Sequence, residues 1–298
     1  MEKQVIIITG ASSGFGALTA RALAKAGHIV YAGMRNTLTR NANRVAEVEQ
    51  FAKDNKVSIS AIEMDVSSQE SVNEAISRIE VEQSNGIDIV IHNAGHMVTG
   101  ALEAFTPEQL GELYDINVLS AQRVNKAVLP AMRSRKQGLI IWVSSSSVKG
   151  GTPPYLGPYF AAKAGMDSIA VSYAAELSQF GIETSIVVPG SFTNGTNHFA
   201  NSGYPDNKEV QKIYDQKYPN LMENVSLKLA GLFPDGADVS LVSDEIVRIV
   251  NLPKGKRPYR THIDPADDGS EAVSNVADGT RSNFLKRIGL EYLLSVKK

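Results

Sequence analysis

The residues best suited to chemistry are a tyrosine and a lysine four positions apart, Tyr159 and Lys163. On a helix this spacing places both side chains on one face, so the ammonium lies close to the phenol. A free phenol has a pKa of about 10, too high for acid or base work at neutral pH, and a neighbouring cation favours the phenolate. Taken alone, the spacing is common on solvated helix faces. Its meaning depends on the motifs around it.

A glycine-rich segment near the N-terminus, TGASSGFG at residues 9–16, is typical of a phosphate-binding turn. It follows the apolar run at residues 5–8 and precedes a segment with helical periodicity. Glycines allow a tight turn and close backbone approach, and a helix N-terminus presents free N–H groups to a pyrophosphate. Any tight strand-to-helix connection can use similar residues. Its position after the first strand favours a dinucleotide site formed by Gly10, Ser12, Ser13, Gly14, Phe15 and Gly16.

With these motifs in this order, the chain resembles the short-chain dehydrogenase/reductase family, whose glycine pattern is T-G-x-x-x-G-x-G and whose catalytic pair is Y-x-x-x-K. The resemblance runs from residue 5 to about residue 190. It implies an enzyme that moves a hydride between a nicotinamide and a carbonyl or alcohol. It also implies that Tyr159 is the catalytic acid or base, and that Lys163 lowers the pKa of Tyr159 and holds the cofactor ribose.

The family also places a hydroxyl at the end of the fifth strand, and here that position falls in a run of four serines, residues 144–147. Counting from Gly138, which opens the strand, selects Ser145. Counting back from Tyr159 at the family's usual interval selects Ser146. The strand count is favoured, because the intervening loop absorbs an extra residue more easily than a central strand shifts register. Ser145 is the predicted catalytic serine and Ser146 the alternative.

Asn117 matches the asparagine that, in the family, bends the helix after the fourth strand and holds a water next to the lysine. Asparagine in the middle of a helix is unfavourable by propensity, so a local use for this residue is expected. The catalytic set implied by the resemblance is therefore Tyr159, Lys163, Ser145 and Asn117.

The end of the second strand selects the cofactor in this family: an acidic residue there binds the ribose of NAD, and a basic one accepts the 2′-phosphate of NADP. This chain has Arg35 after the strand and no acid at its end. A guanidinium binds phosphate with two hydrogen bonds, and Ser12 can add another. NADP is the predicted cofactor, and a merely solvated Arg35 is the alternative.

Other segments match the family's cofactor contacts. Asp65 and Val66 follow the third strand, where the family binds adenine, and Asp65 as a simple turn acceptor is the alternative. The family's N-N-A-G motif has its counterpart in Asn93, Ala94 and Gly95. His92 stands where the first asparagine is usual, which leaves the hydrogen bonding at that strand end open.

The turn after the sixth strand resembles the segment that holds the nicotinamide carboxamide in the family. The alternative is that Thr193 is a loop residue without contact to the cofactor. The cofactor residues implied here are Pro189, Gly190, Phe192 and Thr193.

The elements that must position these residues are readable from the hydrophobic pattern. Short β-branched runs alternate with amphipathic segments, which is typical of a parallel sheet covered by helices on both faces. The predicted fold class is α/β, a single Rossmann-type, doubly wound parallel sheet of about seven strands. The predicted strands are 5–9, 28–32, 57–63, 87–91, 139–143, 183–188 and 257–264.

The organisation along the chain predicts one domain, 1–298, with a cofactor-binding and catalytic core at 1–190. Residues 190–235, rich in Asn, Gly and Pro, are expected to form an excursion with one or two short helices that touches a ligand. Residues 236–298 are expected to hold the last strand and a last helix at 282–296. Two capping boxes predict helix starts, Ser67 with Glu70 and Thr106 with Pro107 and Gln109.

The composition argues against several classes of function. A formal net charge of −2 without a long basic run gives no footprint for nucleic acid or an anionic membrane. No apolar stretch reaches the roughly 18 residues of a membrane span. The chain has no Cys, and its five His lack paired ligand spacing, so no metal site is predicted. The expected location is the cytoplasm.

The substrate and partners follow less directly. The cofactor loop is similar to that of the 17β-hydroxysteroid and retinol dehydrogenase branch, which favours a bulky, apolar ketone or alcohol. The alternative for the aromatic residues is that they only pack the excursion onto the sheet. The residues expected to wall an apolar pocket are Met97, Tyr155, Phe192, His198, Phe199, Tyr204 and Tyr214.

The resemblance implies a homodimer or homotetramer, since relatives commonly pair through the helices that hold Asn117 and Tyr159. Two other functions remain open at this point. One is a catalytically idle NADP-binding sensor of redox state, and the other is NAD-dependent chemistry, including an isomerase or epimerase that uses the same Tyr159 and Lys163 pair.

Overall fold

The computed structural model describes residues 3–192, 196, 201–234 and 236–297. Within these residues seven strands form one sheet, and every neighbouring pair is parallel. The strands are β1 (Val5–Ile8), β2 (Ile29–Met34), β3 (Ile59–Glu63), β4 (Ile89–His92), β5 (Gly138–Val143), β6 (Ile182–Pro189) and β7 (Arg260–Ile263).

The strands lie in the order β3-β2-β1-β4-β5-β6-β7. The chain reverses its direction of winding between β1 and β4, and open α/β sheets bind ligands beyond the carboxyl ends of the strands at such a point. The predicted α/β class, with a doubly wound parallel sheet, is confirmed.

Helices cover both faces of this sheet. The helices within the described residues are α1 (Gly14–Lys25), α2 (Ala42–Asn55), α3 (Gln69–Glu82), α4 (Pro107–Tyr114), α5 (Ser120–Arg135), α6 (Gly157–Ser178), α7 (Lys208–Lys217), α8 (Leu221–Gly231), α9 (Ser240–Asn251) and α10 (Ser270–Arg287). The side chains of β1 alternate, so that Ile7 packs with α3, α5 and α6 on one face while Ile6 and Ile8 pack with α1, α2 and α9 on the other.

The structure confirms one of the two predicted capping boxes and corrects the other. The capping box at Thr106 is confirmed, with Pro107 in the first helical position. The expected box at Ser67 is wrong, because Ser68 caps α3 by accepting a hydrogen bond from the amide of Ser71 at 3.2 Å. Ser67 instead belongs to the preceding turn, where its amide donates to Asp65.

The last long helix, α10, begins and ends earlier than the predicted span 282–296. Asp268 accepts a hydrogen bond from the amide of Ser270 at 3.0 Å and so satisfies the start of the helix. Gly289 has φ 77, and the amide of Leu290 donates back to the carbonyl of Leu285, a pattern that ends a helix. The sequence pattern missed both signals.

The excursion after β6 contains α7 and α8, as the sequence predicted. An isolated parallel bridge between Val98 and Gly203 fastens it to the loop after β4. None of the described helices combines the length and apolar character needed to cross a membrane. The described residues also contain no group of three or more His, Asp or Glu side chains arranged to hold a metal ion.

His92 ends β4, where the resembling family has asparagine. Its ring is buried and lies 4.5 Å from the ring of Trp142, with the two planes tilted by 47°. Its Nε2 hydrogen-bonds to Oδ1 of Asn125 on α5 at 2.9 Å. Burial lowers the pKa of His92 to about 4. The side chain therefore joins the end of β4 to α5 as a neutral group.

This burial predicts a pH dependence of stability. The unfolded chain takes up the His92 proton near pH 6.5 and the folded protein only near pH 4, so acid favours unfolding between these values. Relative to His92→Asn, we expect the wild-type protein to lose roughly 2 to 3 kcal/mol of unfolding free energy between pH 7.5 and pH 4.5. Urea titrations followed by the fluorescence of Trp142, the single tryptophan of the chain, measure this difference. Equal slopes with pH in both proteins would contradict it.

Candidate active site

A polar cavity of about 480 Å³ lies beyond the carboxyl ends of β1, β2, β3 and β4. It includes the glycine turn, the ends of these strands and the loop after β4. The predicted cofactor residues that line it are Gly10, Ser12, Ser13, Gly14, Phe15, Arg35, Asp65, Val66, Asn93, Ala94 and Gly95.

The glycine turn has the shape that a pyrophosphate needs. Gly10 has φ 66, and a Cβ on it would lie 2.7 Å from the Cα of Ala94, so a larger residue does not fit between the two loops. At Gly14, where α1 begins, a Cβ would meet no atom within 4 Å. The N-cap side chain of Ser13 accepts no hydrogen bond from the helix. The start of α1 therefore faces open space at the cavity, which fits an anionic group.

Gly16 is the one predicted turn residue that lies outside the cavity lining. A Cβ on it would lie 2.4 Å from Nδ2 of Asn93 and 2.6 Å from the carbonyl of Gly10. Its role is close packing of α1 against the turn.

Asn93 joins β1 to β4 below the cavity. Its Nδ2 donates to the carbonyls of Thr9 and Gly10, at 2.9 and 3.1 Å. The hydroxyl of Thr9 in turn accepts hydrogen bonds from the amides of Asn93 and Ala94, at 3.1 and 3.0 Å. These four bonds fix the two loops on either side of the switch point relative to each other.

Three arginines, Arg35, Arg40 and Arg44, line the cavity next to the end of β2. Arg44 binds the carboxylate of Glu47 at 2.8 and 3.0 Å. Arg35 and Arg40 are exposed, and neither forms a salt bridge with a carboxylate of the described residues. The sequence prediction named Arg35 alone. Arg40 and Arg44 could also have been predicted, because they follow Arg35 within ten residues of the end of β2 and no Asp or Glu lies between them.

Asp65 lines the same cavity, and its Oδ1 accepts a hydrogen bond from the amide of Ser67 at 3.0 Å. Asp65 is therefore a hydrogen-bond acceptor within the turn, as the alternative interpretation had it, and it also borders the cavity.

A second cavity, also of about 480 Å³, adjoins the first beyond the ends of β5 and β6. Both are lined by Phe15, Asn93, Gly95 and Met97, so they form neighbouring halves of one cleft. The second half is bordered by the predicted catalytic residues Ser145, Tyr159 and Lys163.

The Tyr159 hydroxyl makes a hydrogen bond with the side chain of Ser145. Burial raises the pKa of Tyr159 to about 12, against the lowering effect of the Ser145 contact. The phenol is therefore protonated at neutral pH and is able to donate a proton.

Lys163 is buried, and its Nζ donates to the carbonyl of Val143 at 3.0 Å. Burial lowers the pKa of Lys163 to about 8, and the nearby carboxylate of Asp167 opposes this effect. The lowering of the Tyr159 pKa by Lys163 stays a prediction.

The serine run is ordered by two carboxylates. The hydroxyl of Ser144 donates to Oδ1 of Asp167 at 2.8 Å, and the side chain of Ser146 hydrogen-bonds to Asp268. Ser145 lies between them and contacts Tyr159 and Ser147. The structure thus places Ser145, rather than Ser146, against the phenol. The sequence analysis missed Asp167, although it lies one helical turn after Lys163 on the same face.

Asn117 lies in a π-helical turn at residues 115–119, between α4 and α5. It is fully buried, and its Nδ2 donates to the carbonyls of His96 and Leu113 at 3.0 and 2.9 Å. A Cβ on Gly95 would lie 2.9 Å from Oδ1 of Asn117 and 3.6 Å from Nζ of Lys163. Asn117 and Lys163 therefore approach each other around Gly95.

Three of the four residues after β6 that were predicted to contact the cofactor border the second half of the cleft. Pro189, Gly190 and Phe192 line it. The ring of Phe192 packs edge-on against Phe15 at 5.5 Å. Thr193 lies outside the described residues.

The apolar wall differs from the predicted one. Met97 and Phe192 belong to it, but Tyr155 and Tyr214 pack against each other in a separate cluster, and Tyr204 is 62% exposed. The positions of these tyrosines depend on the path of the excursion, which local sequence does not determine. His198 and Phe199 lie outside the described residues. The other apolar residues of the wall are Val143, Pro153, Leu156, Phe160, Leu229 and Leu232.

Known proteins are similar to this chain in sequence and in fold. The 3-ketodihydrosphingosine reductase of Bacteroides thetaiotaomicron is 34% identical over 216 residues, which span 72% of this chain and 71% of the relative. The human retinol dehydrogenase 8 is 33% identical over 190 residues, 63% of this chain and 58% of the relative. A short-chain dehydrogenase structure from Streptomyces avermitilis, at 22% identity, has a TM-score of 0.72 and covers 97% of this chain and 98% of that one.

The family model described as short chain dehydrogenase matches residues 4–205. This span holds the glycine turn, the switch-point loops, the serine run and the pair formed by Tyr159 and Lys163. The chain therefore belongs to the short chain dehydrogenase family of oxidoreductases.

Proposed function

We propose that this chain is an NADP(H)-dependent oxidoreductase that interconverts a largely apolar ketone or aldehyde and the corresponding alcohol. The observation that carries the proposal is the position of Tyr159. Its hydroxyl, hydrogen-bonded to Ser145, borders the apolar half of a cleft whose other half is polar and lined by arginines. A cofactor in the polar half and a carbonyl in the apolar half would meet beside this phenol.

The residues of the polar half fit a phosphorylated dinucleotide. The open start of α1 at Gly14 suits a pyrophosphate. Arg35 and Arg40 offer guanidinium groups to a further phosphate, and β2 ends without a carboxylate. The alcohol dehydrogenase of Thermococcus sibiricus, a fold relative at 23% identity with a TM-score of 0.68, is described in complex with 5-hydroxy-NADP. These observations support NADP as the cofactor.

When bound, NADPH supplies the hydride that adds to the carbonyl carbon. Tyr159, neutral because burial raises the pKa of its phenol, donates a proton to the carbonyl oxygen. Ser145 donates a hydrogen bond to the same oxygen and stabilises the charge that develops there. Lys163 holds a positive charge below this site, fixed by the carbonyl of Val143. Asn117 and Lys163 both border Gly95, and Asn117 together with a water would relay the replacement proton.

The substrate is expected to be a bulky and mostly apolar carbonyl compound or alcohol. The second half of the cleft is walled mainly by aliphatic and aromatic side chains, which favours an apolar ligand. Relatives carry names that fit this class, such as the 3-ketodihydrosphingosine reductase and the retinol dehydrogenase described above.

Replacement of Tyr159 and Ser145 tests the mechanism. Tyr159→Phe removes the proton donor, and we expect kcat for ketone reduction by NADPH to fall by roughly a thousandfold. Ser145→Ala removes a hydrogen bond to the developing charge and is expected to cost roughly a hundredfold. Absorbance at 340 nm against a panel of aliphatic, aromatic and steroidal ketones measures both.

Ser146→Ala serves as the matched control for the serine assignment, because its hydroxyl contacts Asp268 rather than Tyr159. We expect this variant to lose at most about tenfold in kcat. A larger loss in Ser146→Ala than in Ser145→Ala would reverse the assignment. Full activity of Tyr159→Phe would exclude the proposed mechanism.

Replacement of the arginines tests the cofactor. Arg35→Ala and Arg40→Ala are each expected to raise the KM for NADPH roughly tenfold or more and to change the KM for NADH by less than about threefold, because NADH lacks the 2′-phosphate. Arg44→Ala is the control, since Glu47 already binds that guanidinium, and its effect is expected to be smaller. Equal weakening of both cofactors would contradict an NADP site.

A further inference from the structure

The C-terminal part of the chain reaches the serine run through a buried ion pair. Arg260 on β7 binds the carboxylate of Asp167 on α6, at 2.7 and 3.2 Å. Asp167 also accepts a hydrogen bond from the hydroxyl of Ser144 at 2.8 Å. This series of contacts ends one residue before Ser145.

The two charged side chains are almost completely enclosed, with 6% of Arg260 and 3% of Asp167 exposed. A second carboxylate, that of Asp278 on α10, binds Nε of Arg260 at 2.7 Å. One guanidinium therefore links the helix of Tyr159 and Lys163 to the last long helix. Removing it would leave Asp167 buried without its cation, which is a costly change for a buried ion pair.

A second contact reaches the serine run from the other side. Asp268, directly before α10, hydrogen-bonds to the side chain of Ser146. Its carboxylate also accepts from the amide of Ser270 at 3.0 Å, and its own amide donates to Asp264 at 2.8 Å. Asp268 is thus fixed by its surroundings, and its contact ends one residue after Ser145.

The geometry of the backbone explains why these two contacts matter for Ser145. Ser145 is extended, with φ −163 and ψ 148, and neighbouring side chains along an extended segment point to opposite sides. Carboxylates that hold Ser144 and Ser146 therefore direct the hydroxyl of Ser145 the other way, toward Tyr159.

We propose that Arg260 and Asp268 are positioning residues, which hold Ser145 against Tyr159 from the C-terminal segment by way of Asp167, Ser144 and Ser146. The inference rests on the proposed function, since it assigns these residues a part in that reaction. Both lie beyond residue 205, where the match to the family model ends. Arg260 does not line the cleft, and Asp268 borders its second half next to Ser146. Both residues act on the reaction through the placement of Ser145.

The test uses the full chain and compares Arg260→Met with Arg260→Lys, and Asp268→Ala with Asp268→Asn. The first member of each pair removes the contact, and the second keeps a donor or an acceptor in its place. Arg281→Met is the matched control, because Arg281 lies on α10, packs over the ring of Tyr259 at 5.2 Å and has no ion pair within the described residues.

The first readout is hydrogen–deuterium exchange of the peptide 143–150 in the ligand-free protein. The amides of Ser147 and Val148 donate to the side chain and carbonyl of Ser145, and the amide of Gly150 donates to the carbonyl of Ser146. In Arg260→Met and Asp268→Ala we expect exchange in this peptide to accelerate roughly tenfold or more. Exchange in the glycine turn at 9–16 is expected to stay unchanged.

The second readout is kinetic. Misplacement of Ser145 is expected to lower kcat by roughly tenfold in Asp268→Ala, which removes the same contact as Ser146→Ala, and by up to about a hundredfold in Arg260→Met. The KM for NADPH is expected to stay within about twofold. Arg260→Lys and Asp268→Asn are expected to recover part of the loss. If Arg260→Met fails to fold, Asp268→Ala decides the question, because Asp268 is half-buried and its removal leaves no buried charge behind.

The proposal is overturned if exchange in 143–150 matches that of Arg281→Met. It is also overturned if exchange rises throughout the sheet in step with a lower Tm, which is the result of a purely structural role. Absence of turnover in the wild-type protein with every carbonyl and NADPH would instead count against the proposed function. The exchange result would still decide whether Arg260 and Asp268 order the serine run.

Discussion

The proposed active-site edge of this sheet depends on an ammonium held where water does not solvate it. Lys163 is 4% exposed, and its Nζ has the carbonyl of Val143 as a hydrogen-bond acceptor. A buried cation requires compensating charge, and Asp167, one turn along the same helix, provides it. Asp167 is itself buried and is balanced by Arg260, which is shared with Asp278. Each buried charge thus requires the next, from α6 through β7 to α10.

The same burial gives Tyr159 its chemical character. A phenol with a pKa of about 12 retains its proton at neutral pH, which suits the donor in the reduction of a carbonyl. Oxidation of an alcohol needs the phenolate, so cofactor and substrate charges would have to offset the cost of burial in that direction. The Ser145 side chain opposes the effect of burial on this pKa through its hydrogen bond with the phenol.

The sheet could be predicted from the sequence because its strands are buried on both faces and read as continuous apolar runs, as in Val5 to Ile8. The glycine turn and the pair formed by Tyr159 and Lys163 could be singled out as candidate site residues because each is a short motif with a local geometry. Asp167 was within reach of the same reasoning through its spacing of four from Lys163.

Other features could not be obtained in this way. The shift of a cap from Ser67 to Ser68 reflects two neighbouring residues with the same capping chemistry. The contact between Arg260 and Asp167 joins residues 93 positions apart in the sequence, and it depends on the placement of β7 beside β6. The apolar wall formed by Leu229 and Leu232 depends on where the excursion folds back, which composition alone does not specify.

The most direct test of the account follows the transferred atom. The wild-type protein is incubated with NADPH deuterated at C4 of the nicotinamide, on each face in turn, and a bulky apolar ketone, and the alcohol is analysed by mass spectrometry. The account predicts deuterium on the carbinol carbon from one face of the cofactor, in a reaction that Tyr159→Phe nearly abolishes. Tight NADPH binding without deuterium transfer to any ketone of a broad panel would contradict it.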